Sequence, residues 1–228
     1  MNRMFVTGDV HGSIDRIEDI KSFCKKNKTD REDIMFILGD VGINYFLDKR
    51  DIKIKEALSS CPIKFLCIQG NHEQRVQCIP AYNYFQSNEF GCIWIEYDFP
   101  NLYFLNNGEH IINKKRFLVA DGAYSIDKYF RLRNNLNWFE QEQMSCKDKI
   151  KISNDIKINN KFDYILTHTC PYNFMPRHLF LKDIDNNKID YSTEKFLQCI
   201  YDDINKDVLK QWYCGHYHNN EMLNNKIH

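Results

Sequence analysis

Ile63-Lys64-Phe65-Leu66-Cys67-Ile68-Gln69-Gly70-Asn71-His72-Glu73 decides how this chain is read. The apolar run Ile63–Ile68 reads as a strand. A glycine turn and three consecutive polar groups follow it, and they waste a strand end unless they coordinate something. The same grammar recurs on both sides. Met4–Thr7 leads to Asp9-Val10-His11, and Ile34–Leu38 leads to Gly39-Asp40. Tyr164–Thr167 leads to His168, and Trp212–Cys214 leads to Gly215-His216-Tyr217-His218. Five chain-distant segments thus deliver polar groups at strand C-terminal ends, where open α/β sheets place their sites. Carboxylate, imidazole and one carboxamide, with no thiolate, suit a hard or borderline divalent cation. The groups suffice for two ions, and two neighbouring ions make a hydrolytic centre for phosphate esters.

Bulk composition narrows the class. The chain has 228 residues, 43% hydrophobic and 27% charged, which fits one domain over 1–228 with a substantial core. Lys+Arg and Asp+Glu both total 31, so no strongly basic nucleic-acid binder is indicated. Nine cysteines without a CxxC pair read as reduced, mostly buried thiols of a cytoplasmic protein. No signal peptide is expected, and no apolar run approaches the roughly 20 residues of a membrane span.

Local patterns place the remaining elements. Ser13 is positioned to N-cap a helix with Ile14, Ile17, Ile20 and Cys24 on its apolar face. Asp48–Ser59 reads as a second helix ending near Pro62. Cys92–Glu96, Leu102–Leu105, His110–Ile112 and Arg116–Val119 read as an antiparallel meander, with a turn at Asn106-Asn107-Gly108. Helical pattern returns at Trp138–Ser145, residues 145–161 read as an exposed helix or long loop, and residues 192–206 read as a helix. A final strand, if present, falls in Glu221–Ile227.

Asp-x-His or Gly-Asp alone is common by chance; the ordered set is not. Five of the eight histidines fall in these motifs, leaving His110, His178 and His228 outside. The set DxH, GD, GNH(E/D), H, GHxH resembles the calcineurin-like metallophosphoesterase superfamily. Asp121-Gly122-Ala123-Tyr124-Ser125-Ile126-Asp127-Lys128, then Arg131 and Trp138-Phe139-Glu140, look like the middle of small single-domain bacterial and phage members. Thr167-His168-Thr169-Cys170-Pro171 looks like that group as well.

The resemblance implies an α/β fold: a four-layer αββα sandwich of two mixed β-sheets flanked by helices. It implies two divalent metal ions, drawn from Mn, Fe, Zn or Ni. Asp9, His11, Asp40 and His218 would hold one; Asp40, Asn71, His168 and His216 would hold the other, with Asp40 bridging. A metal-bridging hydroxide would attack phosphorus in line, with His72 as general acid outside the ligand set. One departure stands out. Protein phosphatases of the superfamily read GDxVDRG where this chain has Gly39-Asp40-Val41-Gly42-Ile43-Asn44, so the Asp partner of the acid and the phosphate-binding Arg are missing. Glu73 is a candidate to orient His72, or else a structural carboxylate. Arg75, Arg131 and Arg133 are candidates for the missing clamp, each of them otherwise a solvated surface arginine; Tyr124 is a further substrate-binding candidate, and Tyr124–Arg133 and Cys170–His178 are the expected pocket walls. The expected activity is a phosphatase or phosphodiesterase on phosphate mono- or diesters. Two alternatives are a nuclease or nucleotide phosphodiesterase on short nucleic acids, and a metal-binding pseudo-enzyme serving as an interaction module. A phosphate ester is the expected partner, with neither membrane nor long nucleic acid implied and the oligomeric state left open.

Overall fold

Strands buried on both faces set the layering of this chain. In the computed structural model, which describes residues 2–180 and 188–228, β1 (Met4–Thr7), β2 (Ile34–Ile37) and β3 (Lys64–Cys67) lie side by side and parallel. All four residues of β2 are buried. Met35 and Ile37 pack to one side with Phe65 and Cys67 of β3, against Ile17, Ile20 and Cys24 of α1 (Ile14–Asn27) and Leu58 of α2 (Lys49–Ser59). Ile34, Phe36 and Leu66 point the other way. A strand apolar on both faces needs cover on both, which is the parallel-sheet condition.

The first sheet runs β1-β2-β3-β6-β5-β4, with β4 at Asn83–Ser87, β5 at Gly91–Ile95 and β6 at Leu102–Leu105. β6 is parallel to β3, β5 is antiparallel to β6, and β4 is antiparallel to β5. The second sheet runs β10-β9-β8-β7, from Gln211–Cys214, Tyr164–Thr167, Lys115–Ala120 and Gly108–Ile112. Only β7 is antiparallel in it. Phe36, Leu66, Phe117, Val119 and Leu166 fill the space between the sheets. Beyond the second sheet, Ile152 and Ile156 of α4 (Cys146–Ile158) and Leu197 and Ile200 of α5 (Ser192–Asp203) pack on Trp212. The expected αββα sandwich is therefore present, and β1, β2, β3, β9 and β10 match the anticipated strands within two residues. Among the described residues, no helix is long and apolar enough to cross a membrane.

Several local expectations fail for identifiable reasons. The segment Trp138–Ser145 is not helical. Its carbonyls are taken by tertiary partners: Gln141 O accepts from Arg75 Nε at 2.6 Å, and Glu142 O accepts from Arg75 Nη2 and from Ala123 N. Helix resumes only at α4, where the Ser145 side chain caps the Asp148 N–H, and a short α3 (Lys128–Arg133) precedes the gap. α4 is not simply exposed, because Ile152 and Ile156 share a buried face while Ile150 and Ile158 face solvent. The meander is split. β5 and β6 stay in the first sheet and β7 and β8 form the second, so Asn106–Asn107 is a crossing between sheets. Ser13 occupies the N-cap position without a side-chain cap bond, and Ile14 is 73% exposed instead of joining the apolar stripe. The Glu221–Ile227 segment contributes one bridge, Trp212 to Ile227, and no strand.

Candidate metal centre

The C-terminal ends of β1, β2 and β3 in one sheet face those of β9 and β10 in the other, and the seven sequence-predicted ligand residues meet there. His218 Nε2 lies 3.0 Å from Asp9 Oδ2 and 2.9 Å from His11 Nε2. His11 Nε2 is 3.5 Å from Asp9 Oδ2, and His11 Nδ1 is 3.9 Å from Asp40 Oδ2. His168 Nε2 is 2.7 Å from Asn71 Oδ1 and 3.6 Å from Asp40 Oδ2. The His216 ring stands 5.0 Å from that of His168, centroid to centroid. Two groups have ligand atoms within 4.8 Å of one another: Asp9, His11 and His218; and Asp9, Asp40 and His168.

The backbone is strained to achieve this. His11, Asp40, His216 and His218 all have positive φ, at 53°, 48°, 70° and 51°. Non-glycine residues hold that conformation at a cost of order 1–3 kcal/mol each, and such strain clusters at functional sites. Close approach adds a second constraint. A Cβ at Gly70 would overlap the Asp40 carboxylate, and one at Gly39 (φ +94°) would overlap the His168 ring. The glycines of these motifs are there because the ligands of one loop pass against the backbone of the next.

Four of the candidate ligands, Asp9, Asp40, Asn71 and His168, spend one polar atom on the scaffold and keep another for the centre. Asp9 Oδ1 accepts from His216 N, and Asp40 Oδ1 accepts from His72 N. Leu38 O can only accept, so His168 Nδ1 carries the proton of that 2.7 Å bond, and in the neutral ring that leaves the lone pair on Nε2. Asn71 Nδ2 donates to Ser125 Oγ, which turns Oδ1 toward His168. Such outer hydrogen bonds fix tautomer and orientation in metal sites. Asp40 Oδ2, by contrast, is buried without a hydrogen-bond partner among the described residues. An unsatisfied oxygen amid imidazole lone pairs, with no sulfur in the set, fits divalent cations.

Protonation is arranged to match. Burial lowers His216 to about 3, reinforced by His168, so its lone pair is free at neutral pH. Burial works to raise Asp9, but hydrogen bonds from His11 and His218 outweigh it and hold the carboxyl well below the usual range.

Residues 3–220 match the family model described as calcineurin-like phosphoesterase. The chain belongs to this family. Its chemistry is metal-dependent hydrolysis of phosphoesters, and the clustered Asp and His groups are of the kind that binds the metal. No similar curated protein matches the chain.

The other candidate residues of this phosphoesterase-family chain separate clearly. His72 is half-buried beside the cluster, its ring 5.8 Å from that of His11. Burial lowers it to about 4, against the pull of Asp40. Glu73 is fully buried and braces the turn by accepting from Gly70 N at 2.8 Å; no hydrogen bond joins it to His72. Burial, aided by Asp40, pushes its carboxyl up to about 8. Arg75 is not a clamp. It is 3% exposed, with Nη1 2.7 Å from the buried Asp121 in ion-pair rather than aligned hydrogen-bond geometry. Arg131 stands near His72, but its Nε donates to Asp127 and its Nη1 to the Tyr45 hydroxyl. At the departures from GDxVDRG, Ile43 is core and Asn44 is buried, bonded to Tyr82.

A cavity of about 410 Å³ opens on Asp40, Asn71, His72, His216 and His218. Tyr124 lines it, with Ile126, Met175, Phe180, Tyr191, Glu194 and Tyr217 among its other walls. Tyr217 was discoverable from its place between two ligand histidines. The residues from 180 to 194 carry no local pattern that announces them. Glu194 is pushed up to about 7 by burial, opposed by its own N–H and the Thr169 hydroxyl.

Replacing Arg75 with Ala leaves Asp121 buried and unpaired. Unfolding free energy should fall by about 3–5 kcal/mol, read from denaturant midpoints. Unchanged stability with a raised KM would return Arg75 to the substrate.

Proposed function

We propose that this chain hydrolyses phosphate mono- or diesters with two divalent cations. Asp9, His11, Asp40 and His218 hold one, and Asp40, Asn71, His168 and His216 hold the other. The observation that carries this reading is Asp40 Oδ2, buried with no hydrogen bond from any described residue, at 3.9 Å from His11 Nδ1 and 3.6 Å from His168 Nε2. Asp9 lies within reach of both clusters as well. We assign the shared position to Asp40 because Asp9 Oδ2 faces His11 and His218, whereas Asp40 Oδ2 spans the two sides. When bound, the cations supply positive charge to the phosphoryl oxygens and acidify the attacking water. Manganese, iron, zinc and nickel all suit the donor set.

His72 is the proton donor to the leaving oxygen in this reading. Its backbone is pinned to Asp40 Oδ1, its ring lines the cavity, and it lies outside the ligand set. At a pKa near 4 the imidazole is neutral at pH 7. An anionic phosphoryl group beside it works in the opposite direction, so the proton is taken up with the substrate. Glu73 acts by holding the Gly70 turn. Arg75 is committed to Asp121, and Arg131 to Asp127 and Tyr45, so neither presents a free fork for a dianionic monoester. That favours diesters at rates at least comparable with monoesters. The nine unpaired cysteines support a cytoplasmic setting.

The test is hydrolysis of bis-nitrophenyl phosphate and nitrophenyl phosphate by metal-loaded protein, before and after exhaustive chelation. Diester turnover should at least match monoester turnover, and chelation should abolish both. Full activity after chelation overturns the proposal, and a monoester preference of about a hundredfold or more makes Arg131 the clamp. His72→Ala should retain metal while lowering turnover roughly 10²–10⁴-fold on alkyl esters, and less on nitrophenyl esters, which need little protonation. An equal loss on both classes removes His72 from the acid role.

A further inference from the structure

The cavity is two-sided. One wall is the ligand cluster, where the phosphoryl group must sit. The other is built from apolar and aromatic side chains, including Ile126, Met175, Leu179 and Phe180, which offer a phosphate nothing. That wall is dressed for the organic group of the ester. The Phe180 and Tyr217 rings lie nearly parallel, 14° apart in plane with centroids separated by 6.4 Å. Within this lining one group is out of place. Glu194 is 4% exposed, and its Oε2 has no hydrogen-bond partner among the described residues. Buried polar atoms are nearly always satisfied, so an orphan in a cavity wall points to a ligand that satisfies it. Asp127 Oδ1, on the same cavity's wall, is a second buried oxygen without a partner. A carboxyl retains an acceptor oxygen whether ionised or protonated, so the complement is an N–H or O–H donor. A polyol would leave most of its hydroxyls unpaired against this lining.

We propose that the cavity seats the organic group of the ester and that this group is a flat, uncharged ring with an N–H on its edge, of nucleobase type, hydrogen-bonded to Glu194. The inference rests on the hydrolase reading above and names its substrate class. The ring lies against the aromatic side chains, and the ester places the phosphoryl group on the ligand cluster.

The experiment uses metal-loaded full-length protein and nitrophenyl diesters of thymidine, ring-N-methylated thymidine, choline and methanol. All release the same nitrophenolate, so differences report the retained group. The thymidine ester should exceed both the methyl and the N-methylated esters by about tenfold or more in kcat/KM. Glu194→Leu should bring the ratio of thymidine to N-methylthymidine ester to about one. Ile126→Trp, at a position 46% exposed on the cavity wall, should cut the advantage of thymidine over methyl even if the Glu194 variant does not fold. Equal rates for all four esters in the unmodified protein overturn the inference and leave the hydrolase reading standing. A choline ester preferred over thymidine replaces the ring with a cation and overturns it too. If none is hydrolysed while nitrophenyl phosphate is, the inference falls and the hydrolase reading stands; if nitrophenyl phosphate is not hydrolysed either, both fall.

Discussion

Asp40 ties three strand ends into one site. Its carbonyl accepts from Val10 N and His11 N, its Oδ1 accepts from His72 N, and Gly70 passes against its carboxylate. Three loops are therefore fixed relative to one left-handed residue at the end of β2. The remaining oxygen, Oδ2, is left facing His11 and His168. Removing any of these contacts moves a ligand, because each loop is held by the next and not by solvent-exposed structure. Backbone strain and glycine clearance are spent around one buried oxygen left without a hydrogen bond among the described residues, the position the proposal gives to both cations.

The electrostatics follow from the same burial. Histidines that bind metal compete with protons, and burial has already removed that competition at His216. The carboxylates divide differently. Asp9 is held low by His11 and His218 against its own burial, so it stays ionised, whereas burial wins at Glu73, despite Arg75, and at Glu194, and pushes both up. Environment sorts the carboxyls near the centre into an ionised group in the cluster, a brace beneath the turn, and a group in the cavity wall.

Much of this was legible in the sequence, because it rests on local signals. Short apolar runs ended by glycine and polar groups mark β2 and β3, and the order of the motifs marks which strand ends converge. What was not legible depends on partners distant in the chain. The Trp138–Ser145 pattern is helical, yet Arg75 takes the carbonyls that a helix there would need. Arg75 itself reads as a surface cation until Asp121 is placed beside it. The Asn106-Asn107-Gly108 signal is a turn in any reading, but whether it closes a hairpin or crosses to another sheet depends on β6 choosing β3. The cavity wall draws on residues separated by much of the chain, from Tyr124 to Tyr217, and no periodicity links them.

The most direct test is anomalous diffraction from crystals grown with manganese, collected above and below the metal absorption edge. The account predicts two ions roughly 3.5–4 Å apart, with Asp40 Oδ2 touching both, Asn71 and His168 on one, and His11 and His218 on the other. A single ion, or two that do not share Asp40, would contradict it.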